Sequence, residues 1–298
     1  MAAETVTHQA APAGPLSAFW NAFSQNRGAV GGLVILLIII FLAIFADWVA
    51  PYSATEQFRG MTKLPPYWAQ GGDPRFWLGT DALGRDMISR LIYGARISLF
   101  IGLSVMTVSV IVGIVLGLLA AFVGGAVDSI LMRIMDLIMS IPSLVLAILV
   151  VSILGPSLTN TIVAVSVVYL PNYVRLVRGS ALAEFGKDYI IAAKVAGVGP
   201  IRLMFVTVLP NCLAPLIVQA ALGVSNAILE AAALGFLGLG AQPPTPEWGA
   251  MLADAREFIR SNPWIVTLPG LAILVSVVSI NLFGDGLRDA LDPKLRRS

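Results

Sequence analysis

Two acidic side chains sit where acids are expensive. Glu230 is the single charge in the stretch from Leu203 to Pro246, and Asp136 stands at the edge of an uncharged run from Leu137 to Val174. An ionisable group in a membrane is by default a functional hypothesis, through direct contact with a polar substrate. The competing reading is that Glu230 is protonated or hydrogen-bonded inside a helix bundle and Asp136 lies at the interface. A third group is the segment from Lys187 to Ala196, with Tyr189, Ile191, Ala192, Ala193 and Lys194, closed by Gly197-Val198-Gly199-Pro200. Its composition and its Gly-then-Pro stop predict a short helix. Ala192, Ala193 and Ala196 carry almost no side-chain bulk, so another protein's groove could approach the backbone. An amphipathic helix lying on the bilayer fits the same residues. Other chemistry is narrowed by what is missing. His8 is the only histidine and Cys212 the only cysteine, which argues against a His/Cys metal centre and a disulfide and leaves a Ser–His hydrolase without its base. The chain has neither a phosphate-binding Gly-x-x-x-x-Gly-Lys-Ser/Thr loop nor a His-Glu-x-x-His helix. Catalysis by this chain alone is not expected.

The elements that must hold these residues are membrane helices. Of 298 residues, 57% are hydrophobic and 12% charged, about half the usual charged share. The charges nearly cancel, 19 basic against 17 acidic, so there is no basic field for nucleic acid. A bilayer core about 30 Å thick needs about 20 apolar residues per helix. Uncharged stretches from Gly28 to Ala46 and from Ile97 to Val127 each predict one span, the first read as a retained span rather than a cleaved signal peptide. Leu137 to Val174 predicts two, divided at Gly155-Pro156-Ser157. A fifth is expected from near Pro215 to near Gly240, and a sixth from near Pro263 to Gly284. With the N-terminus inside, eleven of the 19 basic residues fall on inside segments and eight outside, which favours both termini inside.

Two further patterns carry packing information. Gly113, Gly117, Ala121 and Gly125 form a small-residue stripe, read chiefly as bundle packing. Asp81 with Arg85, and Asp86 with Arg90, are four apart and would pair on a helix for a few tenths of a kcal/mol each; ligand or partner binding in this loop is the sharper alternative.

The Lys187-to-Pro210 segment resembles the Glu-Ala-Ala signature loop of permease subunits in bacterial ATP-binding-cassette importers, with Ala192, Ala193, Gly197, Leu209 and Pro210 at matching positions. It departs from that signature at Ile191, where Glu is usual, and at Thr207. The string from Gly79 to Leu99, Ala227 to Gly240, Gln242 to Gly249 and Gly284 to Pro293 look like the second permease subunit of dipeptide, oligopeptide and nickel importers, and within them most like the dipeptide C-type permeases. The resemblance runs over essentially residues 15–296. It implies an all-α integral membrane fold with six spans, a five-helix core plus an N-terminal helix, and cytoplasmic termini. The parts would be a leader and elbow helix (1–28), a first span (29–50), a periplasmic loop (51–96), a permease core (97–285) with a cytoplasmic coupling loop at about 176–209, and a tail (286–298). It further implies an inner-membrane, non-catalytic subunit forming half of a pathway for dipeptides and similar short peptides. Expected partners are a homologous permease, two ATPase subunits that bind the ATP and Mg, a periplasmic or lipid-anchored binding protein, and membrane lipid; the chain itself would hold no cofactor. Oligopeptides, nickel chelates or another small solute are the alternative cargo, and an ion-coupled secondary transporter is the alternative machine.

Overall fold

A computed structural model describes residues 14–291. His8, the first part of the leader and the end of the tail lie outside the described residues. Every regular element among those described is helical. Helix α1 (Pro15–Gln25) leads into α2 (Arg27–Ile44), which starts where the Asn26 side chain accepts a hydrogen bond from the Ala29 N–H at 3.1 Å. Phe23 of α1 is buried and its ring meets Phe283 with centroids 6.0 Å apart. Helix α2 is apolar nearly all round, but only a narrow edge is buried. That edge depends on Gly32, where an added Cβ would lie 2.7 Å from Leu282 and 2.8 Å from the Ser279 carbonyl.

After the short α3 (Ala46–Val49) comes a loop held by an aromatic cluster of Tyr52, Phe58 and Phe76 and by buried charges. Asp81 pairs with Arg85 at 2.5 Å and with Arg90 at 3.3 Å, all three buried. The expected Asp86–Arg90 pair does not form. Asp86 instead caps the next helix, accepting from the Ser89 N–H at 2.8 Å and its hydroxyl at 2.7 Å. That cap starts α4 (Met87–Val123) ten residues before Ile97, where the uncharged run begins. Counting gaps between charges misses this, because Arg90 is neutralised by Asp81 and Arg96 by Asp47 at 2.9 Å. At about 1.5 Å per residue α4 rises about 55 Å, well over the bilayer core.

Helix α5 (Gly125–Met139) and α6 (Ser143–Leu154) replace the expected straight third span with a pair bent by 95°. Pro142 explains the break: it is extended, φ −54° and ψ 135°, and lacks the N–H that a continuous helix would need. Helix α5 also carries Asp128, Arg133 and Asp136, which a search for uncharged runs discards. Among the described residues five helices are long and apolar enough to cross a membrane, and the bent pair would make a sixth crossing if it counts as one span.

Helix α7 (Leu158–Phe185) packs along α4 over Gly113 and Gly117, as the spacing predicts, but Gly125, the fourth residue of the stripe, begins α5 at φ +54° with nothing near its Cβ. A Cβ on Gly113 would sit 2.5 Å from the Tyr173 Cβ, and one on Gly117 would sit 2.8 Å from the Val174 carbonyl. Neither backbone can retreat cheaply. Gly113→Leu is therefore expected to destabilise the chain by about 1–3 kcal/mol, read as a lowered midpoint of thermal unfolding in detergent. Gly31→Ala, at a position with nothing near its Cβ, is the control.

Helices α8 (Asp188–Val195) and α9 (Pro200–Arg202) precede a widened π-helical turn, Leu203–Val208, and α10 (Leu209–Phe236). Helix α10 does not wait for Pro215, which lies inside it. A proline removes one backbone bond and crowds the carbonyl four residues earlier, and a membrane bundle tolerates this where neighbours and local adjustment compensate. Helix α11 (Trp248–Ala255) is short and is capped by the buried Glu247, whose two oxygens accept from the Gly249 and Ala250 N–H groups at 2.7 Å each. Helix α12 (Trp264–Leu291) closes the bundle against α2 and α10.

Candidate functional site

The loop between α7 and α10 is anchored on one side and bare on the other. Glu184, in the last turn of α7, is buried and receives the Lys187 ammonium at 2.7 Å and the Tyr189 hydroxyl. Desolvation, and then the hydrogen bond to Glu184, push the Tyr189 phenol up to about 12, so it stays a donor. The backbone of Lys187 is extended and its carbonyl accepts from the N–H groups of Ile190 and Ile191, which starts α8. Ile190 is fully buried and pins the helix to the core. Asp188 at the first turn and Lys194 at the last suit the helix dipole, and the Lys194 ammonium lies 5.5 Å from the centre of the Phe185 ring.

The end of α8 is a reciprocal cap. The Val198 N–H reaches the Ala193 carbonyl at 3.1 Å and the Gly197 N–H reaches the Lys194 carbonyl at 3.0 Å, with Gly197 at φ +76°. Ile191, Ala192, Lys194, Val195, Ala196 and Gly197 are exposed, with Val195 at 85% and Ile201, in α9, at 74%. Ala193 is turned partly inward against the core. The alanine face seen in the sequence is thus divided: Ala192 and Ala196 point out, Ala193 does not. Ile191 puts exposed apolar surface where the related signature has a carboxylate. Leu209 packs partly against the core, and Pro210, exposed, occupies the first turn of α10, where a missing N–H costs little.

The two acids separate. Asp136 forms an ion pair with Arg175, and one helical region away Asp128 holds Arg178 through two bonds of 2.5 and 2.6 Å. Both pairs tie α5 to α7. Glu230 accepts a 2.6 Å hydrogen bond from the Ser143 hydroxyl, at the break between α5 and α6. It faces a cavity of about 520 Å³ lined by the break and by Tyr169 and Asn172 of α7. A second recess that Glu230 also lines is bounded by Tyr169, Asn226 and Leu229. Sequence reasoning named Glu230 without Ser143, Tyr169, Asn172 or Asn226. The signal available was the scatter of asparagines in otherwise apolar runs, together with Pro142.

The chain that carries this anchored helix and polar cavity is similar in sequence and fold to known proteins. Residues 113–297 fit the family described as binding-protein-dependent transport system inner membrane component, and residues 14–66 fit the N-terminal transmembrane domain of oligopeptide transport permease C. The chain belongs to the binding-protein-dependent transport inner membrane component family. Among its relatives in this family, the di/tripeptide transport system permease protein DppC of Pseudomonas aeruginosa is 59% identical over 95% of this chain and 94% of that protein. The dipeptide transport system permease protein DppC of Escherichia coli K12 is 56% identical over 96% and 95%. A solved structure of the MetNI methionine ABC transporter in inward-facing conformations shares the fold, with a TM-score of 0.56 and 21% identity over 69% of this chain and 98% of that one. This family member is thus a multi-pass permease.

Proposed function

We propose that this chain is one of two permease subunits of an ATP-driven importer for dipeptides and similar short peptides, lying in the bacterial inner membrane with both termini in the cytoplasm. The observation that carries this reading is identity of 54–59% along nearly the whole chain to permeases named for dipeptide or di/tripeptide transport. The bent α5–α6 pair counts as one crossing, giving six spans, and the α8 loop faces the cytoplasm. A second, homologous permease completes the pathway, two ATPase subunits bind ATP and Mg and dock on α8, and a periplasmic or lipid-anchored protein delivers the peptide.

The geometry supplies a route for the force. Ile190 and the Lys187–Glu184–Tyr189 cluster fasten α8 to α7, so displacement of its outer face moves α7 rather than bending the loop. Closure of the ATPases would draw the two permeases' α8 helices together and open the pathway outward as rigid bodies. Asp136 with Arg175, and Asp128 with Arg178, keep α5 moving with α7.

Purification of the chain in mild detergent, with mass spectrometry of what accompanies it, tests the reading. Recovery of a second permease and ATPase subunits, with ATP hydrolysis stimulated by peptide-loaded binding protein, is the expected result. Recovery of the chain alone, still transporting on an ion gradient without ATP, would overturn it.

A further inference from the structure

We infer that Glu230 is the station in the pathway that receives the protonated amino terminus of the passing peptide, with Tyr169, Asn172 and Asn226 supplying neutral hydrogen-bonding groups around it. The inference rests on the importer reading and adds the chemical group recognised. Helix α6 has 12 residues and rises about 18 Å, so Ser143 and the break lie deep within a bilayer about 30 Å thick. Non-helical backbone at such depth is tolerated only where it lines a cavity or is buried in protein, and here residues 139–143 line one. A carboxylate in that position calls for a counter-charge. Among the described residues Glu230 forms no ion pair: Arg175 and Arg178, on the facing α7, are engaged by Asp136 and Asp128, and the hydrogen-bond partner of Glu230 is the Ser143 hydroxyl. One oxygen carries that bond and leaves acceptor capacity free. A peptide ammonium brings both the charge and the donors, and it leaves again because the cavity is open and wide enough to stay hydrated. Asn226 stands one turn from Glu230 on the same face of α10 and lines the adjoining recess, extending the polar track.

The test uses the assembled transporter in liposomes with peptide-loaded binding protein at saturation. Glu230→Gln, which preserves shape and can keep the Ser143 contact, is expected to lower peptide uptake roughly tenfold, and Glu230→Asp much less. Moving the carboxylate one turn, in the double variant Asn226→Glu with Glu230→Gln, is expected to restore most of the uptake, which a purely structural role of Glu230 would not allow. A membrane-permeant carbodiimide, which joins a carboxylate to an amine, is expected to couple isotopically labelled dipeptide to Glu230, read by mass spectrometry of the digested chain. Unchanged uptake in Glu230→Gln overturns the inference and leaves the importer reading standing, as does a loss that the relocated carboxylate fails to rescue in an intact assembly. If Glu230→Gln does not assemble, Glu230→Asp and the coupling experiment decide it, and absence of peptide coupling to Glu230 then overturns it. A wild-type assembly that binds no ATPase and imports nothing instead removes the importer reading itself.

Discussion

Asp81→Ala is expected to destabilise the chain by about 3–5 kcal/mol, the usual cost of leaving a buried charge without its partner. Asp81 is 6% exposed and accepts from the Leu83 N–H at 2.8 Å, the Arg85 N–H at 2.9 Å and the Arg85 guanidinium at 2.5 Å, with the Arg90 guanidinium at 3.3 Å. Alanine would strand two buried guanidiniums. Arg85 would retain only Asp254, at 3.6 Å and half exposed, and Arg90 only the Ala54 carbonyl at 3.4 Å. The effect exceeds the few tenths expected for an exposed helical pair because the charges have already lost their water. Thermal unfolding of the purified chain in detergent measures it. Replacing Asp81, Arg85 and Arg90 together by apolar residues of similar size is expected to cost less than Asp81→Ala alone, since no buried charge is left unpaired and Asp254, which loses Arg85, is half exposed to water. A loss below about 1 kcal/mol in the single variant would place the cluster in the class of solvated surface pairs.

Ala192→Arg is expected to leave the fold intact and to cut peptide-stimulated ATP hydrolysis and uptake by roughly tenfold or more, since an unpaired charge forced into a close interface costs about 2–5 kcal/mol and each 1.4 kcal/mol is a factor of ten. The structure selects this position. Ala193 is turned partly into the core, so an arginine there would disturb packing as well as docking. Gly197 adopts φ +76° and terminates α8, so a bulky residue there would strain the cap itself. Ala192 and Ala196 are exposed on a helix whose other side is pinned by Ile190. Unfolding temperature and subunit composition, measured beside coupled transport, separate a docking defect from a folding one. Full coupled uptake by Ala192→Arg would mean that the ATPases do not dock on this face.

Both predictions rest on side-chain direction, the quantity least visible in a linear pattern. The alanines at 192, 193 and 196 read as one smooth face, yet the register of α8 is set by Ile190 entering the core, and that rotates Ala193 inward. Likewise the pairs four apart at 81–85 and 86–90 look equivalent. Only the first forms, because the chain turns between Asp81 and Arg85 and Asp86 is then used to start α4. The small-residue stripe at Gly113 and Gly117 was legible, since close approach of two helices depends on missing side-chain atoms that the sequence states directly.

The membrane character, the apolar helices, the short loop helix with its Gly197 stop and the unusual position of Glu230 were determined by the sequence alone. These follow from local properties: hydropathy over a bilayer's thickness, glycine's access to positive φ, and the cost of charge in an apolar run. The tertiary structure alone decided that the third crossing is broken at Pro142, that α4 begins at Met87, that Asp136 belongs to an ion pair while Glu230 faces a cavity, and which alanines of α8 are bare. The fate of the two acids turns on partners distant in the chain, Arg175 for Asp136 and Ser143 for Glu230, and the burial of Arg90 in α4 turns on Asp81 in the loop before it. A charge that has found its counter-ion no longer marks the end of a helix, and one that has not marks a site, but which of the two holds is settled only when the chain is folded.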